Sequence, residues 1–132
     1  MLSEKLDMFL NLPNVDTITG TVKIQRLGID VTVQAMSEEK FHELRRMSNL
    51  TISGKKQVVT SSKSLNLLIV ENQCIDPDFN NTDFLKKAGY KLGRDFILAK
   101  ILPGEIVDIA QEVLKLSGFS IDEETEEEVK NF

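Results

Sequence analysis

The stretch Leu102–Phe119 restricts the fold more than any other part of this sequence, because it carries the signals for both ends of one helix. Pro103 suits the first helical position, where its fixed φ is already helical and its missing N–H costs no hydrogen bond. Glu105 places a negative charge beside the positive end of the helix dipole. Gly118 can adopt the left-handed conformation that closes a helix. The stretch therefore predicts one helix with a defined start and a defined end.

The apolar residues of this helix recur every three or four positions, which predicts one wide buried face. They are Ile106, Ile109, Ala110, Val113 and Leu116, with Val107 and Leu114 beside them. Because a face this wide needs neighbours on more than one side, we place the helix in the core. Beyond its end, Phe119 is expected to fold back onto Leu114 or onto the aliphatic part of Lys115.

The net charge of the sequence is concentrated at one end. Residues 120–132 hold six of the 21 acidic residues and one of the 16 basic residues, which leaves 15 of each sign in residues 1–119. We therefore predict a single α+β domain over residues 1–119 and an acidic, flexible tail over residues 120–132. The domain has no basic stripe that could collect phosphates, so nucleic acid is not an expected partner.

Several classes of protein are not expected from the remaining composition. No apolar run approaches the length of a membrane span, and Glu4 and Asp7 occupy positions where a signal peptide would be basic. A single cysteine, Cys74, cannot form an internal disulfide and suits a reducing cytoplasm. One histidine, His42, and that cysteine cannot make a closed zinc site within one chain. We expect a cytoplasmic protein without a membrane partner.

A β-hairpin is predicted in the N-terminal third of the chain. Val22 and Ile24 alternate with polar residues before a Leu27-Gly28 turn, and Ile29, Val31 and Val33 alternate after it. An isolated hairpin is marginally stable, so its apolar face should lie on helices. The predicted class is α+β, with a mainly α-helical domain and this hairpin packed on the helices.

Five further helices follow from caps and apolar spacing. They are predicted at Ser3–Leu12, after the N-cap Ser37, from Ser61 or Ser62 through Cys74, at Asp83–Ala88 after Asn81 or Thr82, and at Arg94–Leu102. The third of these helices has Leu65, Leu68, Ile69, Asn72 and Ile75 at core spacing. Asn49–Ser62 is predicted to be a largely extended loop.

No catalytic constellation emerges from the sequence. His42 and Glu43 are adjacent, so on a helix they diverge by about 100° and form no dyad. Glu105, Asp108 and Glu112 share a helix face, but no Glu-x-x-His pair accompanies them, and a solvated face is the better interpretation. We therefore predict no catalytic residue, no cofactor and no metal site, and a protein that is not an enzyme.

Several short motifs occur in an order and spacing that point to one family. Arg26-Leu27-Gly28 and Ser37–Glu39 come first, and Asn66–Glu71, Ile75–Phe79, Leu102–Ile106 and Leu114–Phe119 follow. Together they resemble the phage tail assembly chaperones of Gram-positive phages and of the defective, phage-like elements in Bacillus-type chromosomes. The resemblance covers roughly Thr21–Phe119.

This resemblance implies a non-enzymatic protein that binds the largely helical tape measure protein. It would keep that protein soluble until tail-tube subunits polymerise around it. The tail tube protein and further copies of the chain are additional candidate partners. The alternative function is that of a structural component, such as a tail-completion or head–tail connector protein, that stays in the particle.

The position of the acidic tail suggests which residues contact a partner. They are Phe119, Ile121, Asp122, Glu123, Glu124, Glu126, Glu127 and Glu128. Exposed apolar surface would hold helical segments of the partner, and the acidic run would keep the complex dispersed. An equally weighted alternative is that the tail is a solvated end without a function.

Overall fold

A computed structural model describes residues 2–49 and 64–119. Within those residues, six α-helices accompany one three-stranded antiparallel sheet and a short 3-10 turn at Val15–Thr17. The helices are α1 Glu4–Leu10, α2 Glu38–Asn49, α3 Leu65–Gln73, α4 Thr82–Ala88, α5 Gly93–Lys100 and α6 Pro103–Leu116. The strands are β1 Thr19–Ile24, β2 Ile29–Gln34 and β3 Cys74–Asp76. The predicted α+β class, mainly helical with a hairpin, is confirmed.

The start of α6 agrees with the prediction from the sequence. Pro103 is its first residue, and the Oε1 atom of Glu105 accepts a hydrogen bond of 2.9 Å from the backbone N–H of Leu102. Ile109 and Val113 are fully buried on its inner face. This helix therefore lies in the core, where it packs against α3 and both hairpin strands.

The end of α6 is a Schellman motif. Gly118 has a φ of +93°, its N–H donates to the carbonyl of Lys115, and the N–H of Phe119 donates to the carbonyl of Leu114. The backbone thus folds back onto the last turn. The ring of Phe119 packs against Phe41 of α2, with 4.9 Å between the ring centroids, and so joins α6 to a helix distant in sequence.

The third helix, α3, is shorter than predicted at both ends. Ser64 caps it, because its Oγ accepts from the N–H of Leu67, so neither Ser61 nor Ser62 is the N-cap. The prediction that the helix continues through Cys74 is wrong. Cys74–Asp76 instead forms β3, which pairs with β2. Side chains alternate along a strand, so Cys74 is buried while Ile75, predicted to be in the core, is 42% exposed.

The hairpin is formed as predicted. Thr19 lies opposite Gln34, Ile24 lies opposite Ile29, and Gly28 takes the positive φ of +68° that the turn requires. Its apolar inner face packs against α6.

Two of the remaining helices begin after caps predicted from the sequence. Ser37 accepts from the N–H of Lys40 at the start of α2, and Asn81 accepts from the N–H of Phe84 at the start of α4. Gly89 closes α4 with a φ of +83°. Of the predicted loop 49–62, only Asn49 is described, as the last residue of α2.

Two glycines that each occupy the first turn of a helix differ in the space around them. A Cβ atom on Gly93 would lie 2.6 Å from Oδ1 of Asn80 and 2.8 Å from the carbonyl oxygen of Phe79, whereas a Cβ on Gly104 would meet nothing within 4 Å. We predict that Gly93→Ala lowers the free energy of unfolding by about 1–3 kcal/mol. Gly104→Ala, the matched control, should change it by less than about 0.5 kcal/mol. Urea denaturation measures both, and equal effects would contradict the crowding seen at Gly93.

Candidate partner-binding surfaces

The first apolar surface is the helix α1, which buries none of its side chains. The exposed apolar residues on it and beside it are Leu2, Leu6, Met8, Phe9, Leu10 and Leu12. Phe9 is 68% exposed and Met8 is 72% exposed. A concentration of large apolar side chains in water marks an interaction site rather than a normal surface.

The length of α1 strengthens this interpretation. Ser3 caps the helix by accepting from the N–H of Leu6, and Glu4 adds favourable charge to its first turn. These local interactions are small, and a helix of 7 residues is marginal in water without tertiary packing. A partner that covered its apolar face would therefore stabilise the helix itself.

The second apolar surface is a groove between the hairpin turn and the helices α4 and α5, which we call the hairpin groove. It has a volume of about 430 Å³. Its apolar lining includes Leu27, Ile29, Phe79, Phe84, Phe96 and Ile101. The charged groups that line it within the described part of the chain, Arg26 and Lys100, are both cationic. The groove thus combines an apolar floor with a positive rim.

An aromatic cluster forms the helical wall of the groove. Phe96 of α5 lies at its centre, with its ring centroid 4.8 Å from that of Phe84, 5.7 Å from that of Tyr90 and 6.0 Å from that of Phe79. The Phe84 and Tyr90 rings meet Phe96 edge to face, a favourable geometry for aromatic quadrupoles. This packing fixes α4 against α5 and keeps the wall in place.

An ion pair fixes the opposite wall. Nε of Arg26 donates to Oε2 of Glu105 at 2.9 Å, and its terminal nitrogen Nη2 donates to Oε1 of Glu105 at 2.8 Å. The same nitrogen also donates to the carbonyl of Lys100 at 3.2 Å. The guanidinium therefore ties the hairpin turn to the start of α6 and the end of α5. A bidentate pair of this kind is geometrically more specific than a single contact.

The ion pair perturbs the acidity of both partners. The hydrogen bond from Arg26 is the largest cause that lowers the pKa of Glu105 to about 2, followed by the hydrogen bond from the Leu102 N–H. The same contact raises the pKa of Arg26. The carboxylate therefore remains charged throughout the neutral and mildly acidic range.

A buried carboxylate holds the start of α5, the helix that carries the central ring of the aromatic cluster. Glu71 of α3 is 4% exposed, and its Oε2 accepts from the backbone N–H and from Nε of Arg94, both at 3.1 Å. These bonds fix the first turn of α5, which carries Phe96. The sequence analysis did not identify this pair, although a glutamate directly after the largely apolar run Leu65–Val70 is a signal that could have found it. The other oxygen of Glu71, Oε1, has no hydrogen-bond partner within the described residues.

Of the residues predicted to contact a partner, Phe119 lies within the described residues. Phe119 is 38% exposed beside Phe41, at the end of α6 away from the hairpin groove. The other predicted residues lie outside the described residues; they are Ile121, Asp122, Glu123, Glu124, Glu126, Glu127 and Glu128.

The side chains that could bind a metal ion do not come together within the described residues. Across residues 2–49 and 64–119, no three histidine, cysteine or acidic side chains cluster in a way that could hold a metal ion. His42 is exposed, with its Nε2 3.9 Å from Oε1 of Glu38. Cys74 is buried, and burial raises the pKa of its thiol to about 12. In the same described ranges, no helix is both long enough and apolar enough to span a membrane.

Comparison with known proteins identifies one family. The sequence model of the family described as "Phage XkdN-like tail assembly chaperone protein" matches residues 6–131. No curated protein and no solved structure matches the chain. The family match includes most of α1 and all the residues that line the hairpin groove.

The pKa of Glu105 predicts how the Arg26 ion pair responds to acid. The folded-state pKa of about 2 lies below the ordinary value of 4.5, so the pair stabilises the fold above about pH 4.5 and this contribution is lost as the pH falls towards 2. Glu105→Gln should therefore be less stable than the parent chain at pH 7, by a difference that shrinks between these two pH values.

Urea denaturation at several pH values measures this difference. Arg26→Gln and the double variant complete a double-mutant cycle, whose coupling energy should shrink over the same range. A coupling energy that does not change with pH would contradict the assignment.

The buried thiol predicts slow alkylation. At pH 8 the folded chain should react with iodoacetamide at Cys74 at least about 100-fold more slowly than the same chain in 8 M urea, because the thiolate is the nucleophile and burial disfavours it. Mass spectrometry of timed samples measures the rates. Equal rates would show that the thiol is accessible.

Proposed function

The chain belongs to the family of phage XkdN-like tail assembly chaperones, and from this premise we propose that it binds the tape measure protein and keeps that protein soluble until tail-tube subunits polymerise around it. The proposal assigns the binding role to α1. A long, largely helical partner presents apolar stripes, and a second amphipathic helix can cover such a stripe by side-by-side packing.

The observation that carries this proposal is the exposed apolar face of α1. Leu6, Phe9 and Leu10 occupy one side of the helix at three- and four-residue spacing, and all three are more than half exposed. The core does not use these side chains, so they remain available for a partner. Because the helix is short, its full formation would accompany binding, which gives specificity with moderate affinity.

The acidic residues 122–128 have a separate role in the proposal. Their charge would disperse a complex whose partner is apolar and prone to aggregate, while Phe119 and Ile121 would extend the contact with that partner. We place this activity in the host cytoplasm during assembly, with the tail tube protein and further copies of the chain as additional partners.

Polar substitutions on α1 test the proposal directly. We predict that Leu6→Gln combined with Phe9→Gln lowers affinity for the tape measure protein by at least about 10-fold, because two large apolar side chains lose their burial on binding. Co-expression should also show the tape measure protein moving to the insoluble fraction. The melting temperature of the variant itself should stay within about 2 °C of the parent, since α1 buries no side chain.

A matched control changes two polar side chains of the same helix. Glu4→Gln combined with Lys5→Gln introduces the same two side chains and leaves the net charge unchanged, so affinity should be retained. If both double variants bind equally well, α1 is not the binding surface.

The alternative role, a structural component retained in the particle, makes a different prediction about location. On the chaperone proposal, by contrast, mass spectrometry of purified particles should find this chain absent or far below the tail-tube subunit in amount. A tagged chain recovered from assembling cells should instead carry a very long helical phage protein. Stoichiometric retention in finished particles would replace the chaperone proposal with the structural one.

A further inference from the structure

Lys100, one of the two cations that line the hairpin groove, belongs to the most basic described part of the chain. Residues 82–101, which form α4, α5 and their connection, contain five basic and two acidic residues. Four of the basic side chains are exposed and form no ion pair with a described carboxylate; they are Lys86, Lys87, Lys91 and Lys100. The fifth, Arg94, is bound to Glu71. The two helices that form one wall of the groove, with their connection, therefore carry four exposed lysines that pair with no described carboxylate.

The segment 120–132 has the complementary chemistry. It carries six acidic residues, an apolar Ile121 near its start, and Val129 and Phe132 after the acidic run. No other stretch of this length in the sequence places so many like charges next to an aromatic residue. A peptide of this kind suits an apolar groove with a positive rim, because the aromatic side chain can be buried while the carboxylates remain beside the ammonium groups.

The segment is also long enough to reach the groove. Arg26 lines the groove and binds Glu105 at the start of α6, so the groove lies at one end of this helix and Phe119 at the other. The 14 residues of α6 extend about 21 Å. Thirteen extended residues extend about 43 Å, which is sufficient for the return path along α6 and for a lateral offset.

We propose that residues 120–132 bind back onto the same molecule, with the last acidic residues, Glu126, Glu127 and Glu128, beside α4 and α5 and with Phe132 in the hairpin groove. The volume of about 430 Å³ accommodates a phenyl ring together with the neighbouring Val129. Bound in this way, the segment covers an apolar groove of a protein that works among aggregation-prone partners. The inference concerns the chain without a partner, and it does not depend on the assignment of α1 to the tape measure protein.

A nitroxide spin label on the full chain tests this proposal. Asn131→Cys introduces a reactive thiol beside Phe132, while the buried Cys74 stays unlabelled, as mass spectrometry can verify. In nuclear magnetic resonance spectra, the backbone amide signals of Leu27, Phe84 and Lys100 should lose at least half of their intensity. The reference is the same sample after the nitroxide has been reduced. The amides of Phe41 and Leu44, at the other end of α6, should keep theirs.

Two variants of the labelled chain separate specific binding from general charge attraction. Phe132→Ala should restore the groove signals by removing the buried ring. Glu126→Gln, Glu127→Gln and Glu128→Gln together should restore them by removing the charge, as should 1 M sodium chloride, where the Debye length is about 3 Å.

Three results would overturn the proposal. The groove amides could keep their intensity, or the loss could fall on residues 50–63, whose three lysines also attract acidic segments. The loss could also persist at full strength when spin-labelled chain without ¹⁵N is mixed with ¹⁵N-enriched chain that carries no spin label. That result would assign the contact to a second copy. Broadening confined to the groove, within one molecule and sensitive to Phe132→Ala, is the expected result.

Discussion

The burial of α3 on nearly every side is the constraint on which the rest of this structure depends. Eight of its nine residues are buried, so the helix has no face of its own for solvent. A helix that is buried on every side can exist in a small protein only when several elements surround it. Here α2, α5 and α6 supply that cover, with β3 following directly in the chain. The order of the elements is therefore a consequence of covering one central helix.

Two ion pairs link the elements of this arrangement, and they differ in how deeply they are buried. Arg26 and Glu105 meet near the surface, where the pair mainly fixes the direction of the hairpin turn. Glu71 and Arg94 meet inside, where a carboxylate that lost its partner would remain as an uncompensated charge. The inner pair therefore restricts how α5 can sit on α3. Through Phe96, that restriction reaches the wall of the hairpin groove.

The sequence predicted the elements whose signals are local. Ser37 was predicted to be a cap, and Asn81 was one of two candidates, because such side chains bond to the backbone three residues ahead. The hairpin was predicted because the alternating residues on both sides of a glycine turn all lie within Val22–Val33. Each of these features depends on a short stretch of chain, and the family resemblance rested on the same stretches.

The features that the sequence did not reveal depend on contacts between distant residues. Cys74–Asp76 continues an apolar helical pattern, and only its pairing with Val33 and Thr32 makes it a strand. The hairpin groove needs the turn after β1 to meet α5, which no periodicity encodes. The apolar spacing of Leu6, Phe9 and Leu10 predicted a helix correctly, yet a spacing cannot say whether a helix covers its own core or is left for another molecule.

This last distinction has a thermodynamic consequence for a chaperone. If the folded core included α1, releasing a partner would expose surface that the core needs, and binding would be coupled to the stability of the whole chain. Because α1 buries nothing of its own, its helix can form with a partner and fray without one, while α3 and its neighbours stay folded. The ordering of α1 lowers the affinity for a given contact area. If the chain releases its partner when the tail tube polymerises, as proposed above, a weaker contact would yield more readily to the tube subunits.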